Sequence, residues 1–465
     1  MKHKGRKAKY KGTIMTMLKL FILALYTGIF AYIWLFYYNN KEIAWGFHTK
    51  GNWLLFLIYL LLVYVVSKVY NPFNVGHMKP SDTIYSNFLM MVGVDIIAYF
   101  IVSLIAREML NVLPFLIMLG IDIVVAIIWS LVANAIFVKL FPPHNMIMVY
   151  GSRLVESISE KMQSRTDRYN ITKYVDIHTG VEEICKIIPQ FDSVVVCDID
   201  ATARNEIVKY CFEISKRCYI VPKLSDILIR GSHEIHMFDS PIFLLKNEAL
   251  NFGHKLIKRI MDLLMVIPLC VIAAPFMAII ALAIKLQDGG PVFYKQARLT
   301  LDNKVFNVLK FRSMIPDAEK VGGAQLAKEG DDRITPVGKI IRKIRMDELP
   351  QLFNILKGDM SFVGPRPERP EIAEKYMEEM PEFKYRTKVK AGLTGFAQVL
   401  GKYNTTPYDK LKLDLMYISK YSALLDIKLI LMTIKILFVS ESTEGFDASN
   451  SIPKGKSENS DEETK

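Results

Sequence analysis

At 465 residues the chain is long enough for two or three domains, and half of it is apolar. The apolar residues concentrate before Leu140 and again near Ile260–Ile284, which excludes a wholly soluble protein. The net charge of +12 is not a nucleic-acid signal, because no nucleic-acid-binding motif occurs and lysines crowd the flanks of the apolar segments instead. The five cysteines, Cys185, Cys197, Cys211, Cys218 and Cys270, show no CxxC spacing. Reduced thiols on a cytoplasmic side are the simplest account.

Residues 1–11 are lysine-rich, and Ile14–Tyr38 follows as a run long enough to span a bilayer, ending in the aromatic cluster Phe36-Tyr37-Tyr38. It reads as an uncleaved anchor with a cytoplasmic N-terminus. Three further spans are expected near Trp53–Tyr70, Phe88–Ile105 and Val112–Leu140, returning the chain to the cytoplasm. Asp95 and Asp122 fall inside the third and fourth; each is expected to face a partner helix or lie near an end.

From residue 142 to 250 the chain alternates buried strands, at Met146–Gly151, Phe191–Cys197 and Cys218–Pro222, with helices at Arg153–Gln163 and Arg204–Lys216. That alternation predicts a Rossmann-like α/β middle domain. Its first loop, Gly151-Ser152-Arg153, carries one glycine rather than GxGxxG, so dinucleotide binding is poorly supported.

Ile260–Ile284 is long enough for a fifth crossing, but Pro268 and Pro275 interrupt it. Basic residues flank both ends: Lys255, Lys258 and Arg259 before, Lys285, Lys295 and Arg298 after. A helix that enters the membrane, breaks and leaves on the same side fits both features. Strands at Pro291–Leu299 and Lys304–Met314 then form a hairpin through Asp302-Asn303. Pro336–Met346 places Val337, Ile340, Ile341 and Ile344 opposite Lys339, Arg342, Lys343 and Arg345, the pattern of a helix lying in an anionic membrane surface. Asp347 and Glu348 open a short helix whose apolar face is Leu349, Leu352, Phe353 and Leu356, ended by Gly358. Downstream, Gly364-Pro365-Arg366-Pro367 presents one arginine on a rigid loop. Paired acids with arginines arriving from two sides suit a phosphate ester; taken alone, the stretch reads more simply as an Asp347 N-cap beside a solvated basic face. Tyr408–Tyr421 and Ala423–Val439 read as amphipathic helices, and 440–465 as a disordered acidic tail.

Several ordered blocks change that weighing. They are Pro291–Gln296, Lys310–Met314, Asp332–Gly338, Asp347–Asn354, Leu356–Pro367 and Gly392–Val399. Residues 251–439 resemble the bacterial sugar transferase family, the monotopic phosphoglycosyl transferases. In its long form, N-terminal membrane helices and a nucleotide-binding-like domain precede an α+β catalytic domain with a re-entrant helix. The resemblance implies transfer of a hexose-1-phosphate from a UDP-sugar to undecaprenyl phosphate, releasing UMP and starting exopolysaccharide or capsule assembly. It makes Asp347 the nucleophile, forming a covalent phosphosugar-aspartate. Asp347 and Glu348 hold Mg²⁺, and Lys310, Arg342 and Arg366 grip phosphates. It also carries Asp414, Asp426 and Lys402 into the substrate site. Lys402 stands in Gly401-Lys402-Tyr403-Asn404 where relatives have Gly-Arg-Asn, so it lacks the planar fork. Ala391 replaces a usual proline before Gly392, and Thr300 and Asn303 stand near usual turn glycines. The implied setting is the plasma membrane with the catalytic domain in the cytoplasm, in contact with membrane lipid. The middle domain is implied to be regulatory, ligand-sensing or dimerising, with a homodimer among the partnerships it allows. Glucose or galactose is favoured over an N-acetylated sugar. Two rivals are an inactive membrane assembly or regulatory protein of the same fold, opposed by the intact Asp347-Glu348 pair and Arg366, and an NAD-dependent oxidoreductase, opposed by the missing glycines.

Overall fold

The computed structural model describes residues 10–42, 49–76, 78–151, 155–237, 239–245, 249–315, 331–401 and 405–437. The expected tail and Lys402 lie outside them. The chain divides into two units after Lys223.

The first unit opens with α1 (Lys11–Ile33), α2 (Thr49–Tyr70), α3 (Pro80–Ala106) and α4 (Leu113–Leu140), each long and apolar enough to cross a membrane. Pro80 and Pro114 sit in first turns, where a missing N–H breaks no helical bond. Leucines and isoleucines such as Leu57, Leu61, Leu104 and Ile128 point outward, whereas Tyr26, Phe30, Tyr59, Met90 and Met118 fill the interior. Phe30 stacks on Tyr59 with ring centroids 4.0 Å apart. Of the expected interfacial aromatics, Tyr38 instead joins the interior, its hydroxyl donating to the Asn111 carbonyl at 2.7 Å.

A four-stranded parallel sheet follows, built from β1 (His144–Tyr150), β2 (Tyr169–Asp176), β3 (Ser193–Cys197) and β4 (Arg217–Ile220) in the order β2-β1-β3-β4. The crossovers carry α5 (Val155–Gln163), α6 (Val181–Ile187) and α7 (Ala201–Glu213). Alternate residues of the central strands serve opposite layers. Ile147, Val149, Val194 and Val196 meet Ile184, Ala203 and Ile207, while Met146, Met148 and Val195 meet Ile158 and Met162. The strand order is the flavodoxin-like one rather than the dinucleotide-binding 3-2-1-4. β2 escaped the sequence reading because it is an edge strand whose side chains are mostly exposed, with no apolar run. The lone glycine of the first loop has a packing reason: a Cβ on Gly151 would lie 2.1 Å from the Asp198 carbonyl oxygen.

The second unit begins earlier than the expected boundary at 250. Leu224 and Leu228 of α8 (Leu224–Arg230) pack into the core that holds Leu411, Leu415 and Ile418. A hairpin, β5 (His233–Met237) and β6 (Ser240–Leu244), leads to α9 (Phe252–Asp288). Contrary to the expected break, α9 is one uninterrupted helix with Pro268 and Pro275 inside it. Leu264, Val271, Ile272, Ile279 and Leu282 cover its outside, while Val266, Met277, Ile280 and Ile284 belong to the core of the second unit. β7 (Phe293–Leu299) and β8 (Val305–Phe311) form the expected antiparallel hairpin, with Asp302 and Asn303 left-handed at φ 55° and 58°. α10 (Pro336–Lys343) is N-capped by Thr335, whose Oγ1 accepts from Gly338 N at 3.0 Å. It stops short of Met346 because Arg345 is left-handed at φ 55°. Its apolar stripe divides: Ile341 is buried in the core, whereas Ile340 and Ile344 are exposed.

Then come α11 (Gln351–Lys357), β9 (Ser361–Val363), α12 (Pro370–Glu379), β10 (Gly392–Thr394), α13 (Phe396–Leu400), α14 (Pro407–Ser419) and α15 (Ala423–Leu437). Gly358 ends α11 at φ 97°, as expected. Leu352 and Ile355 form the buried side of α11, not Phe353 and Leu356, which are exposed.

Both ends of α9 are fastened to this unit. Near its start, Arg259 donates to the carbonyls of Ile355 and Leu356 at 2.7 and 2.8 Å, capping α11. Asp262 accepts from Ser361 Oγ and Phe362 N, at 2.9 and 3.0 Å. Lys258 donates to Asp426 at 2.7 Å and to Tyr417 Oη at 3.0 Å. At the far end Asp288 pairs with Arg312, and Gln287 accepts from Val337 N at 3.2 Å. Removing one member of a buried ion pair costs about 3–5 kcal/mol, because the other charge stays buried. Lys258→Met should therefore lower the melting temperature of the second unit markedly in detergent. Lys255→Met, at a side chain outside that buried pair, should leave it nearly unchanged.

Candidate active site

Asp347 and Glu348 lie in a 3-10 turn, Met346–Glu348, that follows left-handed Arg345 and leads into α11. They do not open α11, and Asp347 caps nothing, since Arg345 and Pro350 are the N-cap residues and neither makes a side-chain cap bond. The turn instead directs Glu348 at two cations. Its Oε1 accepts from Arg366 at 3.0 Å and from Lys310 of β8 at 3.5 Å. Neither ion pair involves Asp347.

The position of Arg366 is set by its backbone. Beyond the parallel β9–β10 pair the loop folds back against β10, with Gly364 N donating to Thr394 O at 2.8 Å and Gly392 N to Pro365 O at 2.9 Å. The strands approach so closely that a Cβ on Gly392 would lie 2.1 Å from Gly364 N. Arg386 donates to the Arg366 carbonyl at 2.9 Å, and Arg298 to the Pro367 carbonyl at 3.0 Å. Proline on each side of Arg366 removes most of the remaining backbone freedom.

Electrostatics separate the two acids. Burial pushes the Glu348 carboxyl up, but Arg366 and Lys310 outweigh it and hold the group at about 2. Burial, then the Glu348 charge, push Asp347 above the usual carboxylate range, opposed by Lys310 and Arg342. Desolvation lowers Lys310, with the Glu348 charge opposing it.

Of the residues expected at the site, Asp347, Glu348, Lys310 and Arg366 come together, and Arg342 is near enough to act on the Asp347 charge. Asp414 and Asp426 do not join them. Asp414 is buried against Arg386 at 2.9 Å, and Asp426 accepts from Lys258 and from Tyr417 at 2.7 and 2.8 Å. For Asp414 the connection to the site is indirect, since Arg386 holds the Arg366 carbonyl. The sequence reading missed Lys258, Asp262, Arg298 and Arg386 as positioning residues. Lys258 and Arg298 had the look of membrane-flanking charges, and Asp262 and Arg386 carry no short-range pattern.

Two departures from the family pattern meet in space. Ala391 N donates to Thr300 Oγ1 at 3.1 Å, and Thr300 Oγ1 donates to the Asp359 carbonyl at 2.9 Å. The alanine supplies an N–H that a proline lacks.

Among the described residues no group of three or more His, Cys, Asp or Glu could hold a metal. Asp347 with the second oxygen of Glu348 offers hard oxygen donors. This suits a Mg²⁺ that keeps waters and takes its other ligands from substrate phosphates.

The family model described as bacterial sugar transferase matches residues 253–440. The UDP-glucose:undecaprenyl-phosphate glucose-1-phosphate transferase of Caulobacter vibrioides is 38% identical over 190 residues, 40% of this chain and 71% of that protein. The chain belongs to the bacterial sugar transferase family. This sugar transferase is also similar to the UDP-N-acetylgalactosamine-undecaprenyl-phosphate N-acetylgalactosaminephosphotransferase of Aeromonas hydrophila, 43% identical over 39% of this chain and 43% of that protein. A third relative is the UDP-glucose:undecaprenyl-phosphate glucose-1-phosphate transferase of Escherichia coli K12, 35% identical over 48% of this chain and 49% of that protein. The match spans somewhat under half the length of these two longer relatives.

The Thr300–Ala391 contact in this sugar transferase gives a measurable coupling. Ala391→Pro should destabilise the wild type by about 1 kcal/mol or more, by leaving Thr300 without its donor. The same change in a Thr300→Ala background should cost less, with a coupling of at least about 0.5 kcal/mol in the double-mutant cycle.

Proposed function

We propose that the chain moves a hexose-1-phosphate from a UDP-sugar to undecaprenyl phosphate through Asp347. The observation that carries this reading is the division of labour between adjacent acids: both ion pairs hold Glu348, and neither holds Asp347. Glu348 is thereby fixed as a positioning carboxylate, and Asp347 is the carboxylate left outside an ion pair to attack phosphorus.

In the first step an Asp347 carboxylate oxygen bonds to the β-phosphorus. The bond from that phosphorus to the bridging oxygen breaks, and UMP leaves with the oxygen and its electron pair. In the second step a phosphate oxygen of undecaprenyl phosphate attacks the same phosphorus, and Asp347 leaves as a carboxylate. Arg366 and Lys310 present positive charge beside the reacting centre, and Arg342 adds a third cation from α10. Mg²⁺, held by Asp347 and Glu348 with substrate oxygens, would neutralise diphosphate charge that otherwise repels the carboxylate. Glu348 stays ionised throughout the neutral range, which keeps Arg366 and Lys310 in place without a proton changing hands.

The reading requires the site to face the cytoplasm at headgroup level. Between Arg259 and Asp288 a straight helix would rise roughly 43 Å. Arg259 binds the end of α11, and Asp288 binds Arg312 at the end of β8. Those anchor points are linked by one short contact, Leu309 N to Asn354 Oδ1 at 2.9 Å. Such fastening favours a helix bent at Pro268 and Pro275 that enters and leaves on one side. The exposed Ile340, Ile344, Phe353 and Leu356 would then face lipid beside the acid pair. The middle domain serves regulation, ligand sensing or dimerisation in this account.

Asp347→Asn should abolish UMP release and lipid-linked product in membranes containing polyprenyl phosphate, without loss of fold. Near-normal turnover by the Asn variant would exclude a covalent aspartyl step. Wild-type rates with UDP-glucose, UDP-galactose and UDP-N-acetylgalactosamine assign the sugar. Arg366→Lys should lose at least tenfold in kcat/KM, since about 1.4 kcal/mol of transition-state binding is tenfold. Because attack needs the carboxylate, kcat/KM should fall as pH falls, with a midpoint above the ordinary aspartate value of 3.8.

A further inference from the structure

The interior of the membrane helices holds a second acid pair that the transfer chemistry does not use. Asp95 of α3 and Asp122 of α4 are 5% and 0% exposed. At 1.5 Å per residue they lie roughly 16 and 14 Å along their axes from the α3–α4 connection. That depth is the middle of a hydrocarbon core of about 30 Å. Tyr59 Oη of α2 donates to Asp95 Oδ1 at 3.1 Å. The other Asp95 oxygen and both Asp122 oxygens are buried without any hydrogen-bond partner. Tyr26 of α1 donates to Asn87 at 3.4 Å. The two carboxylates and the two tyrosines interact electrostatically, so every helix of the bundle contributes a titratable group. Among the described residues no lysine, arginine or histidine acts on either carboxylate.

Three carboxylate oxygens in an apolar interior cannot remain both charged and unpaired. An isolated buried carboxylate costs far more than a folded domain can supply, so it neutralises or takes a cation. Replacement by a leucine would avoid that cost, yet both acids point inward rather than toward lipid. We propose that Asp95 and Asp122, with the Tyr59 hydroxyl, form a monovalent-cation site at the bilayer midplane, filled by a proton or an alkali-metal ion. The partner needed is small, positive and able to reach a site closed to larger ligands. Carboxylate and phenol oxygens suit a proton or sodium equally, and both sources predict the same behaviour when alkali ions are withheld: the pair takes up a proton.

The test is infrared spectroscopy of the full-length protein in nanodiscs of uncharged lipid, with choline as the only added cation. At pH 7 the wild type should show the carbonyl stretch of a protonated carboxyl that disappears from the spectra of Asp95→Asn and Asp122→Asn. A band unchanged by sodium or potassium identifies the proton as the occupant. A band removed by either salt, with a rise in melting temperature absent from Asp122→Asn, identifies an alkali ion. A wild-type pH-jump difference spectrum gives the same information if a variant fails to fold. Identical wild-type and variant spectra, with no carboxyl band titrating near neutrality, would overturn the proposal.

Discussion

Everything at the candidate site depends on the fixed path of the backbone from Gly364 to Pro367. Arg366 is half exposed, and a long exposed side chain contributes little from a flexible loop. Here the main chain is held at two successive carbonyls by buried or half-buried donors, Arg386 at Arg366 and Arg298 at Pro367. Behind Arg386 stands Asp414, which positions it. The buried Asp414 thus acts on the loop only through the carbonyl that Arg386 fixes.

The long helix α9 links the membrane to this arrangement. Its apolar surface suits lipid, while Lys258, Arg259 and Asp262 on one face grip α15, α11 and β9 in turn. A membrane-embedded helix is therefore also the scaffold against which the acid turn and the arginine loop are set. Moving it would disturb both segments together. Coupling through packed elements of this kind needs no conformational signal.

The parts of this design that follow local rules were legible in the sequence. The spans, the β7–β8 hairpin with Asn303 left-handed, the stop at Gly358 and the gathering of Asp347, Glu348, Lys310 and Arg366 all come from short-range spacing or from motif blocks. What was not legible was long-range. Asp414 and Asp426 stood as substrate contacts because a motif position does not reveal whether an acid faces a ligand or a buried Arg386 or Lys258. Lys258 passed as a surface charge because its partner lies 168 residues away. The tight turn at Met346–Glu348 was read as a helix start because nothing in Arg345 announces a positive φ. The α9 prolines suggested a break where the helix continues, since neighbouring contacts can offset a lost backbone bond.

The central claim is that Glu348 is held and Asp347 attacks. Its most direct test omits the acceptor. The protein is mixed with a UDP-sugar labelled at the β-phosphorus, without polyprenyl phosphate, then quenched and digested. The account predicts a burst of UMP near one per protein and label on the peptide containing Asp347, discharged when polyprenyl phosphate is added. UMP that appears only with the acceptor present, and no label on the protein at any time, would contradict it.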